Sequence, residues 1–396
     1  MPDRVDPRRD RGSGIRYPGS GIRDPGIGNP AARRGDPGTG SRAAPTDVPY
    51  RRSDVLVLSP NWLGDAVMAL PAIADLKRHV GEARLVVAAR DGVAGMFRLA
   101  PYVDDVVTLR WRGKLAQRAG WRDDVLALRQ AACGTAVLLP NSFAAAWLAW
   151  RSGAAERWGY AADFRSPLLT RAIRRPRGSV HQAEYYQYLV RALGVRTGPR
   201  EAVLIVPEPV ETAARALLAA RGWREQEPLV VLAPGAAYGK AKQWLPEHFV
   251  RLAVMLSNDR GARCVLVGSA ADRDTTGWIR SAAGDAVLPL IDLSGETTLE
   301  TLAGVMGVAH ACVSNDSGAM HIAAAVGTPV AALFGPTREY ETAPLPRTNR
   351  RAEVLINDVF CRPCMLRECP IDHRCMRGLA PQRVFAVVDE MMADAR

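Results

Sequence analysis

Twice in this chain an unbroken apolar run, Val55-Leu56-Val57-Leu58 and Leu229-Val230-Val231-Leu232-Ala233, leads into a glycine-bearing turn and then into helical sequence. A strand that is apolar on both faces must be covered on both faces, which is the condition of a parallel sheet layered between helices. Further strand-like segments follow the first run at 84–89, 105–109 and 135–139, and the second at 263–268, 286–292, 311–314 and 330–335. Helical sequence is expected up to Lys77, with Pro71 kinking that stretch or marking its true start, and again at 211–221, 247–258 and 298–308. The alternation predicts an α/β protein of two doubly wound halves facing across a cleft. Pro207-Glu208-Pro209 is the expected hinge, giving an N-terminal domain at 53–207 and a C-terminal domain at 208–396 whose last helix reaches back toward the first.

Residues 1–52 are rich in Gly, Pro, Arg and Asp and carry no hydrophobic period, so they are expected to be disordered. The tail repeats Gly12-Ser13-Gly14-Ile15-Arg16 as Gly19-Ser20-Gly21-Ile22-Arg23, a low-complexity feature. Net charge is +11, and residues 1–53 contribute eleven arginines against six aspartates. The excess favours anionic partners without choosing among them. No dense Lys/Arg face and few interleaved aromatics accompany it, so no nucleic-acid partner is expected. The longest apolar stretch, 322–334, is broken by Gly327 and Pro329 and falls short of the roughly 18 residues a membrane span needs. The first residues lack the apolar core of a secretory signal, so a cytoplasmic location is expected.

Four motifs fall where strands end. Asn61-Trp62-Leu63-Gly64-Asp65 places a carboxylate near a helix start, where it either caps the helix or takes a proton from an attacking hydroxyl. Pro234 to Trp244 holds Gly235, Gly239, Lys240 and Lys242, suited to wrapping phosphates, but its spacing is not that of a nucleotide-hydrolysing P-loop. Ser269 and Asp272, after Val267-Gly268, would bond a ribose or base, or simply form a turn and cap. Asn315-Asp316-Ser317-Gly318-Ala319-Met320-His321 reads as strand end, cap and helix start. Asp316 or Ser317 caps, Gly318 admits a ligand to the backbone, and His321 directs a titratable ring at the same place. A capped helix without a ligand would use the same residues.

Of seven cysteines, Cys133, Cys264 and Cys312 sit in apolar segments and read as core thiols. Cys361, Cys364, Cys369 and Cys375, with His373 among them, are spaced to enclose a tetrahedral zinc of structural kind. Disulfides or an iron–sulfur cluster are the alternatives.

With Leu139-Pro140-Asn141-Ser142-Phe143 and Gly335-Pro336 added, these motifs resemble the ADP-heptose lipopolysaccharide heptosyltransferases of glycosyltransferase family 9, most closely type II, over roughly residues 54–396. The resemblance implies a GT-B fold, two Rossmann-like domains with the acceptor on the first and the donor on the second. It implies inverting transfer of L-glycero-D-manno-heptose from ADP-heptose to the heptosyl-Kdo-lipid A core, without a cofactor in catalysis. Asp65 matches the family's general base and Lys242 the lysine that meets the donor phosphates. Asp316, Ser317, Gly318 and His321 match the donor-site loop, the last as an imidazolium beside the leaving group, and Gly235 and Ser269 are further candidates to bind the donor. Where some relatives carry a ribose-binding glutamate, this chain has Ala271 and Asp272. The basic stretch with Arg165, Arg171, Arg174, Arg175 and Arg177 reads as a surface loop or irregular helix. Arg171, Arg174 and Arg175 are the candidates to meet acceptor phosphates or the inner-membrane surface, as a peripheral contact. Another GT-B transferase with a different sugar nucleotide, and a non-catalytic sugar-nucleotide-binding protein of the same fold, are the competing readings.

Overall fold

The computed structural model describes residues 15–16, 54–110, 118–284 and 290–394. Of the tail, only the short strand β1 (Ile15–Arg16) is described; the expectation of disorder otherwise falls outside these residues. The first half runs β2 (Val55–Leu58), α1 (Leu63–Met68), α2 (Leu70–Val80), β3 (Leu85–Arg90), α3 (Asp91–Phe97), β4 (Asp105–Leu109), α4 (Arg118–Gln130), β5 (Thr135–Leu138), α5 (Phe143–Arg151), β6 (Glu156–Tyr160), β7 (Arg171–Ile173) and α6 (Gln182–Ala192). After α7 (Glu208–Ala220) the second half runs β8 (Leu229–Ala233), α8 (Pro246–Arg260), β9 (Arg263–Leu266), α9 (Arg273–Ala283), β10 (Ile291–Asp292), α10 (Leu299–Val308), β11 (Ala311–Asn315), α11 (Gly318–Val326), β12 (Val330–Phe334), α12 (Glu339–Thr342), β13 (Ala352–Ile356), α13 (Arg374–Arg377) and α14 (Pro381–Asp394).

The first sheet is parallel with order β4-β3-β2-β5-β6-β7, and the second has order β13-β12-β11-β8-β9-β10, with β1 added antiparallel at the β13 edge. In each half the first strand lies beside the fourth, so the chain reverses its winding direction there. Pro71 lies in the first turn of α2, where a missing N–H costs nothing, and so marks a helix start. Pro209 plays the same part in α7, which therefore begins inside the segment read as a hinge.

Alternation along the strands sorts the core. Val55 and Val57 face one apolar cluster, while Leu56 and Leu58 face another. Leu229, Val231 and Ala233 join the same cluster as Val55, so the inner faces of both sheets and the helices between them form one continuous core. Contacts of α1 with α11 and of α3 with α10 carry it across the halves. The final helix, expected to reach back to the first half, packs on α8 and over the outer face of the second sheet.

The basic stretch departs from the sequence reading. It forms a short 3-10 turn at Ser166–Leu168 and the edge strand β7, and Arg165 is fully buried. Its guanidinium donates to the carbonyls of Tyr160 and Pro140, so backbone acceptors at two strand ends hold the charge inside, with Asp163 within electrostatic reach.

Candidate active site

Ligands of doubly wound sheets bind beyond the carboxyl ends of the strands where winding reverses. Those strands are β2 and β5 in the first half and β8 and β11 in the second. Their following loops carry Asn141, Lys242 and Asp316, and the first turn of α1, just after β2, carries Asp65.

The two donor-side loops are tied together by Asn315. Its side chain accepts from the Trp244 N–H at 2.9 Å and donates to the Pro234 carbonyl at 2.7 Å, entirely out of solvent. Trp244, itself buried, donates its indole N–H to the Leu379 carbonyl at 2.9 Å. This frame brings the Lys242 ammonium to 2.6 Å from Asp316, whose carboxylate also accepts from the Thr337 hydroxyl at 2.7 Å. Asp316 is thus occupied sideways and does not cap α11. Ser317 holds the cap position, but its side chain makes no cap bond to the helix, and its hydroxyl lies 3.1 Å from that of Ser314. An uncapped helix start beside a lysine is a positive field in want of an anion.

Opposite stands α1, and the two helix starts interlock. A Cβ added at Gly318 would come within 2.7–2.8 Å of the Leu63 side chain, and one at Gly64 within 3.0 Å of the His321 ring. Gly318 therefore serves close packing between the halves, in addition to any approach by a ligand. Asp65, in the first turn of α1, has its carboxyl pushed up to about 6 by burial; Lys242 opposes the rise and Asp316 adds to it. Residues 65, 242 and 316 accordingly sense one another across the cleft. His321 is buried, and burial takes its pKa down to about 4, Asp316 opposing and His181 and Lys242 assisting. The ring is neutral near pH 7, which corrects the expected imidazolium: a wholly buried ring with Lys242 nearby does not hold a second positive charge.

Gly235 packs against Asp272, whose carboxylate would lie 2.6 Å from an added Cβ. Asp272 in turn accepts from the Ser269 N–H and hydroxyl at 2.8 and 2.7 Å, forming a capping box at the rim of the site. The acceptor-side arginines separate. Arg171 pairs in register with Trp158, at the end of β7 away from the cleft, stacks on that ring and donates to the Leu193 carbonyl. Arg174 and Arg175 are exposed at the carboxyl end. There the Asn141 amide donates to the Tyr185 hydroxyl at 2.9 Å, and Arg175 lies close enough to Tyr185 to act on its titration.

The cysteine cluster is corrected. Cys375 is buried, Cys361 half-buried, and Cys364 and Cys369 exposed. The other three thiols are near enough to assist burial in raising the Cys375 pKa. Yet among the described residues no three His, Cys, Asp or Glu side chains are disposed to hold a metal. His373 turns away, its Nε2 lying 2.7 Å from the Ala241 carbonyl, so a structural zinc at Cys361, Cys364, Cys369 and Cys375 has no support.

Sequence reasoning passed over Asn315 and Thr337 as functional positions, although Asn315 begins the motif; a buried amide that bridges two loops leaves no local pattern.

The family model for glycosyltransferase family 9 (heptosyltransferase) matches residues 125–374. The lipopolysaccharide heptosyltransferase 2 of Salmonella typhimurium is 30% identical over 353 residues, covering 86% of this chain and 99% of that one. The structure of Escherichia coli ADP-heptose lipopolysaccharide heptosyltransferase II superposes with a TM-score of 0.74 at 25% identity, over 86% of this chain and 98% of the other. The E. coli heptosyltransferase WaaC with ADP shares the fold, with a TM-score of 0.63 at 18% identity over 85% and 99% of the two chains.

Proposed function

The chain belongs to glycosyltransferase family 9, the heptosyltransferases, and from that premise we propose that Asp65 deprotonates the acceptor hydroxyl while Lys242 and the start of α11 receive the leaving ADP. The protein is a glycosyltransferase that transfers heptose in lipopolysaccharide core biosynthesis. The donor is L-glycero-D-manno-heptose on ADP, and the acceptor is the first heptose of the Kdo-lipid A core. As the Asp65 carboxylate takes the hydroxyl proton, the acceptor oxygen attacks the anomeric carbon from the face opposite ADP. The bond from that carbon to the β-phosphate oxygen breaks, ADP leaves with the electron pair, and configuration inverts. Charge grows on the diphosphate during this step, so a lysine and an uncapped helix start stabilise the transition state more than the ground state.

The observation that carries the reading is the mutual electrostatic reach of Asp65, Lys242 and Asp316, contributed by opposite halves. A carboxyl raised to about 6 is ionised at neutral pH and still basic enough to take a proton, which a binding protein has no use for. Arg174, Arg175 and Phe164, which is 96% exposed, form the acceptor edge and touch the anionic membrane surface that carries the lipid. No helix among the described residues is long and apolar enough to cross a membrane.

Incubation with ADP-heptose and heptosyl-Kdo-lipid A should add the mass of one heptose. Asp65→Asn should lower turnover by about 10²–10⁴-fold and leave ADP affinity within a few fold. Full activity in that variant removes the base assignment, and product from a different sugar nucleotide alone redirects the donor assignment.

A further inference from the structure

We propose that Tyr238, held by the cysteine-bearing loop 361–373, is a positioning residue that fixes the Lys242 ammonium at the donor diphosphate. The proposal rests on the reading of Lys242 as the phosphate-binding cation.

A lysine carries four rotatable bonds, and its ammonium meets phosphate as a point charge with no geometry of its own. Something else must aim it. Lys242 lies 4.8 Å from the centroid of the Tyr238 ring, and the Arg367 guanidinium lies 5.1 Å from the same centroid. Both distances suit attraction of a cation to an aromatic face. Tyr238 is anchored at its far end, where its hydroxyl donates to the Met365 carbonyl at 2.8 Å.

The same loop holds the backbone just before Lys242 from both sides. The Ala241 N–H donates to the Arg367 carbonyl at 2.9 Å, and the Ala241 carbonyl lies 2.7 Å from His373 Nε2. Gly239 has no side chain because the Arg367 carbonyl stands where its Cβ would be. From the other direction Arg362 donates to the carbonyls of Gly335 and Thr337, at 2.8 and 3.1 Å, and the Thr337 hydroxyl bonds Asp316. Lys242 and its resting partner Asp316 thus both stand on loop 361–373. When the donor arrives, its phosphate competes with Asp316 for the ammonium, and the Tyr238 ring keeps the ammonium over the pocket during that exchange. The loop is anchored through backbone carbonyls at Met365 and Arg367.

The test is a double-mutant cycle on the full chain with ADP-heptose as donor. Tyr238→Leu should lower kcat/KM for the donor by about tenfold, with part of the loss in kcat, and Tyr238→Phe, which keeps the ring and loses the anchor, by about two- to threefold. In a Lys242→Ala background Tyr238→Leu should add nothing, because no ammonium remains to be placed. An equal penalty in both backgrounds means that Tyr238 acts on the donor by itself, and overturns the proposal. So does an unchanged donor kcat/KM in Tyr238→Leu, or in Tyr238→Phe should the leucine variant fail to fold. Wild-type ADP affinity in Lys242→Ala alone would instead remove the underlying assignment of Lys242, a separate result.

Discussion

Asp65 and His321 are packed around the same cleft and shift in ways that act on stability with opposite sign. The unfolded chain releases the Asp65 proton near 3.8, whereas the folded protein keeps it to about 6, so the contribution of Asp65 falls as pH rises across that window. His321 is the reverse: the unfolded ring takes a proton near 6.5 and the folded ring only near 4, so stability is lost as pH falls from 6.5. In the native protein the two slopes offset each other. Asp65→Asn should therefore gain on the order of 2 kcal/mol at pH 7, a gain that vanishes below about pH 4, and expose the steep acid-side loss due to His321. His321→Asn should expose the opposite slope. Thermal melts of both variants between pH 4 and 7.5 read this directly, and an Asp65→Asn protein no more stable than native at pH 7 would refute it. Activity carries the same signature. The acid limb of kcat/KM belongs near pH 6 to Asp65, and it should survive replacement of His321.

The element that makes the site is a contact between helices, and its price is paid in side chains. Leu63 lies over Gly318, and His321 lies over Gly64, so α1 and α11 meet nearly backbone to backbone. Gly318→Ala places a methyl against Leu63 Cβ, Cγ and Cδ2 at once and should cost about 1–3 kcal/mol with a parallel loss of activity. Gly64→Ala meets only the edge of the His321 ring and should cost less. Leu63→Ala should relieve part of the Gly318→Ala defect, because the Leu63 Cβ remains. Chemical denaturation ranks the three, and a Gly64→Ala variant more damaged than Gly318→Ala would contradict the interlock. The glycine was legible in the sequence as a place of close approach, but not what approaches, since Leu63 lies some 250 positions away. The central strands, by contrast, were legible almost to the residue, because burial on both faces leaves runs such as 55–58 and 229–233 with no polar interruption, whereas β6, β7 and β13, which carry charged residues, were not read as strands. The start of α7 within Pro207-Glu208-Pro209 was missed for a local reason: a proline in a first turn and a proline in a linker look alike.

At the scale of the molecule, charge is the least legible property, because sequence counts arginines without saying which face solvent. Arg165 and Arg175 stand in one basic stretch, yet Arg165 is buried on backbone carbonyls while Arg175 is exposed at the cleft edge. No acidic residue occurs from 164 to 183, although Asp163 and Glu184 border that stretch and Glu156 lies within electrostatic reach of Arg171. Phe164, with a left-handed φ of 55°, is turned out fully into solvent beside the buried Arg165 that secures its loop. An exposed apolar tip and the exposed Arg174 and Arg175 in one stretch suit an anionic lipid surface, each arginine contributing about 1 kcal/mol near the bilayer. Replacing Arg174 and Arg175 with alanine should weaken sedimentation with anionic vesicles by about tenfold or more, and raising ionic strength should erase most of the difference from native protein. Phe164→Ser should weaken it in a manner that salt does not erase. Arg171→Ala, removing a cation already stacked on Trp158 at the far end of β7, should leave vesicle binding unchanged. Equal losses from Arg171→Ala and from the double variant would mean that bulk charge, not the acceptor edge, meets the membrane.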